Sequence, residues 1–548
     1  MPKLTIEGKA IAVPAGTTVL QAAEKLGIDI PTFCYHPNLS IAGNCRMCLV
    51  EIEGQGKPVT ACSTPVNEGM VVKVNSPGAK EARRAVIEFL LTNHPLDCPI
   101  CDKSGECTLQ DNSMTQGKMK SRFTFGKNHK AKAKDIGKHI VLDAERCIMC
   151  TRCVRFLDEV TKTGELGIFG RGNHEELGLA PGKRLDNPYS GCVTDICPVG
   201  ALTMKEFRFQ SRVWFLEKTE SICQSCARGC NITVEANPNA INKVGTRRVF
   251  RLMPRENKKV NRSWMCDEGR LRFRFVDERR ILEPVRRLDG KESPVTWDSA
   301  LDSLARLLGK AKRGRVGFLL SRSSSVEDLF LANEFISRHM KGAVVAIDTP
   351  PNRLPTSDRF LMRMDKHSNS GGARALGMKS SGRDWLNLFK KTSDGRIDTL
   401  VVVGHEITQL HPGAIQARRR LKELVVLSSN EGVTPSMATM LLPVAVFAER
   451  AGVVVNFEGR AQIFRKAFEP VGQARPEWTI WRDLLGRFGT PRLLRNEEAV
   501  FRSVAGKVGS FRGLEYSSLG SLGKNLSTAS RRAGVKPRSS VGRMKGGR

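Results

Sequence analysis

No stretch of this sequence reaches the ~18 consecutive apolar residues that a membrane-spanning helix needs. The longest apolar run, Met437 to Ala448, is broken by Thr439 and Pro443 and reads as core. Nucleotide signatures are missing as well. There is no G-x-G-x-x-G after a strand and no G-x4-G-K-[ST], and Gly167 to Gly172 has the wrong spacing, so neither a Rossmann site nor a P-loop is expected. No set of nucleophile, base and orienting residue stands out. Acidic residues are scarce: 56 Asp and Glu face 88 Lys and Arg, for a net charge of +32. That balance would suit nucleic acid, but aromatics are only 6% of the chain, and no aromatic pattern that could stack bases accompanies the charge. Much of the excess lies in two stretches, Lys118 to Lys138 and Ser517 to Arg548, the second with eight Lys or Arg and no acid. The bland reading is solvated charge, a basic disordered tail from about 513, and a surface that docks on acidic neighbours. The most informative absence is that of cysteine, which does not occur in the last 282 residues.

All sixteen cysteines fall within the first 266 residues. Cysteines serving packing alone would scatter, so this segregation indicates local metal chemistry. At 548 residues the chain exceeds a single core and should form several domains. It begins directly in a strand pattern, Leu4 to Val13, with no signal or transit peptide expected, so a reducing cytosol that keeps thiols available is inferred. Residues 1–78 read as a small mixed domain, with a hairpin turning at Glu7-Gly8-Lys9 and a helix from Thr17 to Leu26 whose Val19, Ala22, Ala23 and Leu26 share a face. Residues 79–118 begin with a helix and become a Cys-rich loop; 119–214 and 215–272 each hold a further cysteine unit. From 273 the texture changes. The runs Val316–Leu320, Val344–Ile347, Leu400–Val403 and Leu424–Leu427 alternate with amphipathic stretches such as Trp297 to Leu308, which predicts a doubly wound α/β domain over 273–512.

The cysteines form four groups. The first is Cys34, Cys45, Cys48 and Cys62, in which one C-x2-C pair grips one iron and the outlying thiolates reach another; the loop Ala42-Gly43-Asn44 can wrap backbone N–H groups toward bridging sulfides. A four-cysteine zinc site is the alternative, although such sites more often use two tight knuckles. The second group is His94, Cys98, Cys101 and Cys107, where three thiolates leave one corner of a cubane to the imidazole. An isolated histidine at a helix end would more simply interact with the helix dipole; three cysteines within the next thirteen residues reverse the odds. The third group, Cys147-x2-Cys150-x2-Cys153 with a remote Cys197-Pro198, has the two halves of the bacterial ferredoxin signature and is the most specific motif in the chain. The fourth, Cys223, Cys226, Cys230 and Cys266, suits a [4Fe–4S] cluster or zinc, and its company favours the cluster. Cys192 is left over; it is either an alternative ligand or, more simply, a small residue packed near the cluster.

In order, these groups resemble the large electron-transfer subunit, the 75 kDa iron–sulfur subunit, of NADH–quinone oxidoreductase (respiratory complex I), bacterial type. The phrases Arg46-Met-Cys-Leu-Val-Glu51, Asn93 to Asp102, Arg146 to Phe156 and Cys197-Pro-Val-Gly-Ala-Leu-Thr203 are closely similar to that family's motifs. The resemblance implies a β-grasp [2Fe–2S] domain ligated by the first group, then two [4Fe–4S] clusters ligated by the second and third. The fourth group, found in some bacterial members, would hold a third [4Fe–4S] cluster. Glu449 to Gln462 and Trp478 look like the molybdopterin-oxidoreductase fold of that subunit's C-terminal domain, here short, without a cysteine for molybdenum, and expected to be a scaffold without cofactor. The long basic tail is not a recognised family feature. The implied function is electron relay from a partner carrying FMN and oxidising NADH toward quinone, in contact with other peripheral-arm subunits on the cytoplasmic side of the bacterial inner membrane, with no nucleic acid and no membrane insertion. Alternatives are an electron-transfer subunit of an NAD-linked hydrogenase or formate dehydrogenase, or a zinc-stabilised nucleic-acid binder.

Overall fold

The protein is described from a computed structural model, which covers residues 1–118, 120–238, 247–288, 291–312, 314–347, 357–378, 382–411 and 413–527. Its contacts divide it into two units, Met1–Lys218 with Thr233–Phe273, and Thr219–Ile232 with Arg274 onward. The boundary between the units runs through 215–272.

The first unit opens with a five-stranded mixed sheet in the order Lys9–Ala12, Lys3–Ile6, Met70–Lys73, Leu49–Ile52, Val59–Thr60. Glu7 and Gly8 both have positive φ, the geometry of a two-residue hairpin turn whose twist matches its strands. The expected helix spans Val19–Lys25. Thr18 caps it in a reciprocal box with Gln21. Val19, Leu20, Ala22 and Ala23 of the helix pack on Leu4, Ile6, Val50 and Val72 of the sheet. Alternation along the strands brings those residues to one face, which is why a single helix suffices to cover it.

Regular structure thins out around the later cysteines. The helix Pro77–Asn93 starts at a Ser76 cap with Pro77 in its first turn, and ends before His94. His94 precedes Pro95, which disfavours helical backbone, and it is extended accordingly. Three short strands (Lys134–Asp135, Ile140–Leu142, Leu202–Met204) form a small sheet, and Leu166–Phe169 pairs with Glu176–Leu179.

The second unit is built on a seven-stranded sheet in the order Lys291–Pro294, Val285–Leu288, Met440–Pro443, Glu423–Ser428, Thr399–Val403, Val316–Leu319, Val344–Ala346. The five strands from Met440–Pro443 onward are parallel. Both faces are buried, so their sequences are continuously apolar. Phe318, Val401, Val403 and Val425 belong to one core; Leu319, Leu400, Val402 and Val426 belong to the core on the opposite face. Each of the four apolar runs singled out above is one of these strands, and the amphipathic stretch is the helix Trp297–Lys310. A smaller sheet of Gly452–Val455, Arg460–Phe464 and Lys524–Asn525 completes the unit.

Residues 513–527, expected to belong to a basic disordered tail, are instead ordered. Leu519 is buried in the main core, and Lys524–Asn525 pair with Arg460–Ala461, because Phe511 and Leu519 supply apolar anchors between the basic residues. Residues 528–548 lie outside the described residues. Among the described residues no helix is long and apolar enough to cross a membrane.

Candidate metal centres

The first group sits in an irregular loop beside the mixed sheet. Cys34, Cys48 and Cys62 are fully buried. Their thiols stand close enough to act on one another, Cys34 with Cys45 and Cys62, and Cys62 with Cys48. Donation from the neighbouring thiols holds Cys34 far below the ordinary thiol range, and Cys62 is driven up by the same contacts. The backbone N–H of Cys34 donates to Cys45 Sγ at 3.4 Å. Gly43 and Arg46 have positive φ, so the loop Gly43–Arg46 curls back on the sulfurs; at Arg46, a residue with a Cβ, that curl is strained.

In the second group the imidazole is the telling atom set. His94 Nδ1 is buried and has no hydrogen-bond partner. Burial and the nearby Arg146 and Lys127 push His94 down to about 4, so it is neutral and offers a lone pair at physiological pH. An orphaned buried nitrogen is costly, and a metal would satisfy it. Cys101 and Cys107 are buried, Cys98 is exposed. Cys107 immediately precedes the helix Thr108–Gln116, whose Leu109 is buried. Asp97 ties the approach to this loop down through Arg146 at 2.9 Å and Lys132 at 2.6 Å.

The third group closes around a space. Cys147, Cys150, Cys153 and Cys197 all line one small cavity, walled by Ile148, Ile168, Leu177, Val199, Ala201 and Leu202. Met149 and Thr151 adopt left-handed backbone and turn the loop into the helix Arg152–Phe156. The backbone N–H of Met149 donates to Cys147 Sγ at 3.4 Å. Burial pushes Cys147 up to about 12 and Cys150 to about 11, so these thiols ionise only if a cation shares the cavity. Cys192 does not line it; its thiol is fully buried and donates to the Met265 carbonyl at 3.1 Å.

The fourth group is divided. Cys223, Cys226 and Cys230 belong to the second unit and Cys266 to the first. In the second unit Cys223 N–H donates to the Cys230 carbonyl at 2.9 Å, and Ala227 N–H to the Asp365 carbonyl at 2.8 Å. Gly229 is left-handed, and its carbonyl accepts from Gln462 Nε2 at 3.0 Å. In the first unit Cys266 caps the helix Asp267–Leu271, accepting from Gly269 N–H at 3.4 Å. Among the described residues no three His, Cys, Asp or Glu converge as a single ion would need; the third-group thiols stand around a space.

Within the first unit, contacts link the first three groups, which spacing alone did not foretell. Arg155 Nη2 donates to the Cys34 carbonyl at 2.5 Å and to the Cys150 carbonyl at 3.3 Å. Asn44 Nδ2 donates to the Met149 carbonyl at 3.1 Å. Gly200, in the loop that follows Cys197, lies so close to Cys101 Sγ that an added Cβ would collide with it. The first group therefore abuts the third, and the third abuts the second.

Family models match most of the first 274 residues, in order, and part of the second unit. They are a 2Fe-2S iron–sulfur cluster binding domain over 2–77, an NADH-ubiquinone oxidoreductase-G iron–sulfur binding region over 83–122 and the ferredoxin-like domain of NADH-quinone oxidoreductase subunit 3 over 137–203. An NDSU1/NuoG-like 4Fe-4S domain follows over 216–274, and molybdopterin oxidoreductase over 364–487. The chain is similar to the mitochondrial 78 kDa subunit of NADH-ubiquinone oxidoreductase from Neurospora crassa, 42% identical over 67% of this chain and 49% of that one. It is equally similar to the G-subunit of NADH-quinone oxidoreductase from Rickettsia bellii, 42% identical over 62% of this chain and 48% of that one. The same subunit from Streptomyces coelicolor is 41% identical over 63% and 40%. The match thus spans about half the length of these relatives. The chain carries domains of the 2Fe–2S and 4Fe–4S binding types and belongs to the 75 kDa iron–sulfur subunit family of NADH–quinone oxidoreductase.

Proposed function

We propose that this chain is the iron–sulfur electron-transfer subunit of the peripheral arm of NADH–quinone oxidoreductase, peripheral to the membrane on its cytoplasmic side. It takes electrons from a partner that carries FMN and oxidises NADH, and passes them toward quinone. Cys34, Cys45, Cys48 and Cys62 hold a [2Fe–2S] cluster. His94, Cys98, Cys101 and Cys107 hold one [4Fe–4S] cluster, and Cys147, Cys150, Cys153 and Cys197 hold another. Cys223, Cys226, Cys230 and Cys266 hold a third. When bound, the clusters supply one-electron acceptors that need no proton. The chain's own part is to bury them, to point backbone N–H groups at their sulfurs, which tunes potential, and to set them side by side.

The observation that carries this reading is the adjacency of the three groups in the first unit. Arg155 and Asn44 join the first to the third, and Gly200 presses the third against the second. A relay in the spatial order first, third, second follows. The second group is the outlet: Cys98 is exposed, with Leu96 89% and Ile100 59% exposed beside it, an apolar rim suited to a partner subunit. The α/β unit is a scaffold without molybdenum, since none of its residues beyond 266 is a cysteine. Iron and acid-labile sulfide analysis of anaerobically purified protein tests the assignment. Four filled groups give roughly fourteen irons per chain and three give roughly ten; zinc in place of iron would refute it.

A further inference from the structure

Two arginines lie between the first and third groups without a carboxylate to neutralise them. Arg152 Nη2 donates to the Tyr35 carbonyl at 2.5 Å and Nη1 to the Ile196 carbonyl at 3.2 Å. Its Nε is buried without a hydrogen-bond partner. Arg155, one position short of a full turn along, donates to the carbonyls of Cys34, Cys150 and Ser40. Among the described residues neither guanidinium forms an ion pair. Glu159, a turn further on, is engaged by the Ser40 N–H at 2.9 Å instead. Burying a guanidinium is costly unless negative charge is near, and carbonyl oxygens supply only dipoles. The groups that place negative charge beside Arg152 once they are ionised as ligands are thiols, Cys150 and Cys197 from the third group and Cys34 and Cys45 from the first. Both arginines therefore stand in one field, shared by the two groups.

We propose that Arg152 and Arg155 form a shared cationic bridge that raises the reduction potentials of the first-group and third-group clusters together, an inference that rests on the cluster assignment above. A cluster gains one negative charge when it accepts an electron, and a fixed neighbouring cation stabilises that form. Because the same two cations face both groups, one electron leaving the first group and arriving at the third stays within their field. One cluster is oxidised and the other reduced by the same electron, and no proton is required. Charge between two cofactors then does what a carboxylate partner would prevent. If each arginine were paired with Asp or Glu, its field would be cancelled at short range. Arg152 and Arg155 are positioning residues, acting through charge and through the carbonyls they hold.

The test is an EPR-monitored redox titration of the full chain, purified without oxygen, comparing Arg152→Gln and Arg155→Gln with the wild type. Each variant should lower the midpoints of the [2Fe–2S] cluster and the third-group [4Fe–4S] cluster by about tenfold in reduction constant, or about 59 mV for one electron. The second-group cluster should keep its midpoint, a pattern that general loosening of the fold would not give. The double variant Arg152→Lys with Arg155→Lys keeps both charges and should hold both midpoints near wild type. It also serves as the deciding measurement should a glutamine variant fail to take up clusters. Unmoved midpoints in the glutamine variants, movement of only one of the two, equal movement of all three, or a fall in the lysine variant would overturn the bridge. Absence of cluster signals from the wild-type chain would defeat the assignment itself and the bridge with it, whereas intact signals with unmoved potentials would defeat the bridge alone.

Discussion

The sheet of the second unit and the cysteine loops of the first are held by different forces. Thr399–Val403 and Glu423–Ser428 lie in the middle of a sheet covered on both faces, with Leu400, Val401, Val402, Leu424, Val425 and Val426 almost wholly buried. Burial of each such side chain stabilises by about 1.5–3 kcal/mol, and nothing but hydrocarbon is needed. The loops over 94–107 and 147–153 have short elements, left-handed residues at Met149 and Thr151, an orphaned His94 nitrogen and thiols pushed up by burial. These are costs that a bound cluster offsets. The difference teaches that hydrocarbon alone accounts for the sheet, while the proposed clusters would supply what the cysteine loops lack.

The largest expected effect separates the two directly. Stripping iron with a chelator under anaerobic conditions should raise amide hydrogen exchange across 94–107 and 147–153 to that of open loops, because metal-binding energy is folding energy there. Exchange in Thr399–Val403 should not change; equal loss in both units would break the comparison. Next comes Gly200→Ala. Its methyl collides with Cys101 Sγ, an overpacking cost of about 1–3 kcal/mol, and iron analysis should show the second group emptied while the third-group signal persists.

The second unit has its own pH signature. Glu327 is fully buried; one oxygen accepts from Val453 N–H at 3.0 Å and the other has no partner. Burial pushes it up to about 8, with Asp328 adding to the rise. A raised carboxyl binds its proton in the fold when the unfolded chain has already released it, so stability falls as pH rises from about 4.5 to about 8 and levels off beyond. Glu327→Gln should flatten that slope in thermal melts between about pH 5 and 8. An unchanged slope would place the titration elsewhere. The smallest effect is Thr18→Ala, which opens the capping box of the first helix and should cost about 1 kcal/mol in chemical denaturation without altering the iron content.

The second unit's strands were readable in the sequence because each is an uninterrupted apolar run, and parallel strands buried on both faces must be. The first helix was readable from Val19, Ala22 and Ala23 on one face. The ligand groups are proposed from spacing, since a loop can present three thiols to one cage only at short separations. What spacing could not supply was the adjacency of the groups. Arg155 touches the carbonyls of Cys34 and Cys150, residues 116 positions apart by number, and no local pattern encodes that. The place of Gly200 against Cys101 is equally invisible, although a glycine two residues after Cys197-Pro198 was a hint of close approach. The tail was misjudged from 513 to 527 because its charge hid two apolar anchors, Phe511 just before it and Leu519 within it.

Low-temperature EPR of the anaerobically purified full chain, reduced with dithionite, tests the central claim most directly. The account expects one [2Fe–2S] signal and at least two [4Fe–4S] signals, with spin coupling between the first-group and third-group clusters when both are reduced. A chain that stays colourless and silent after anaerobic reconstitution with iron and sulfide, or whose first-group and third-group signals show no mutual influence, would contradict it.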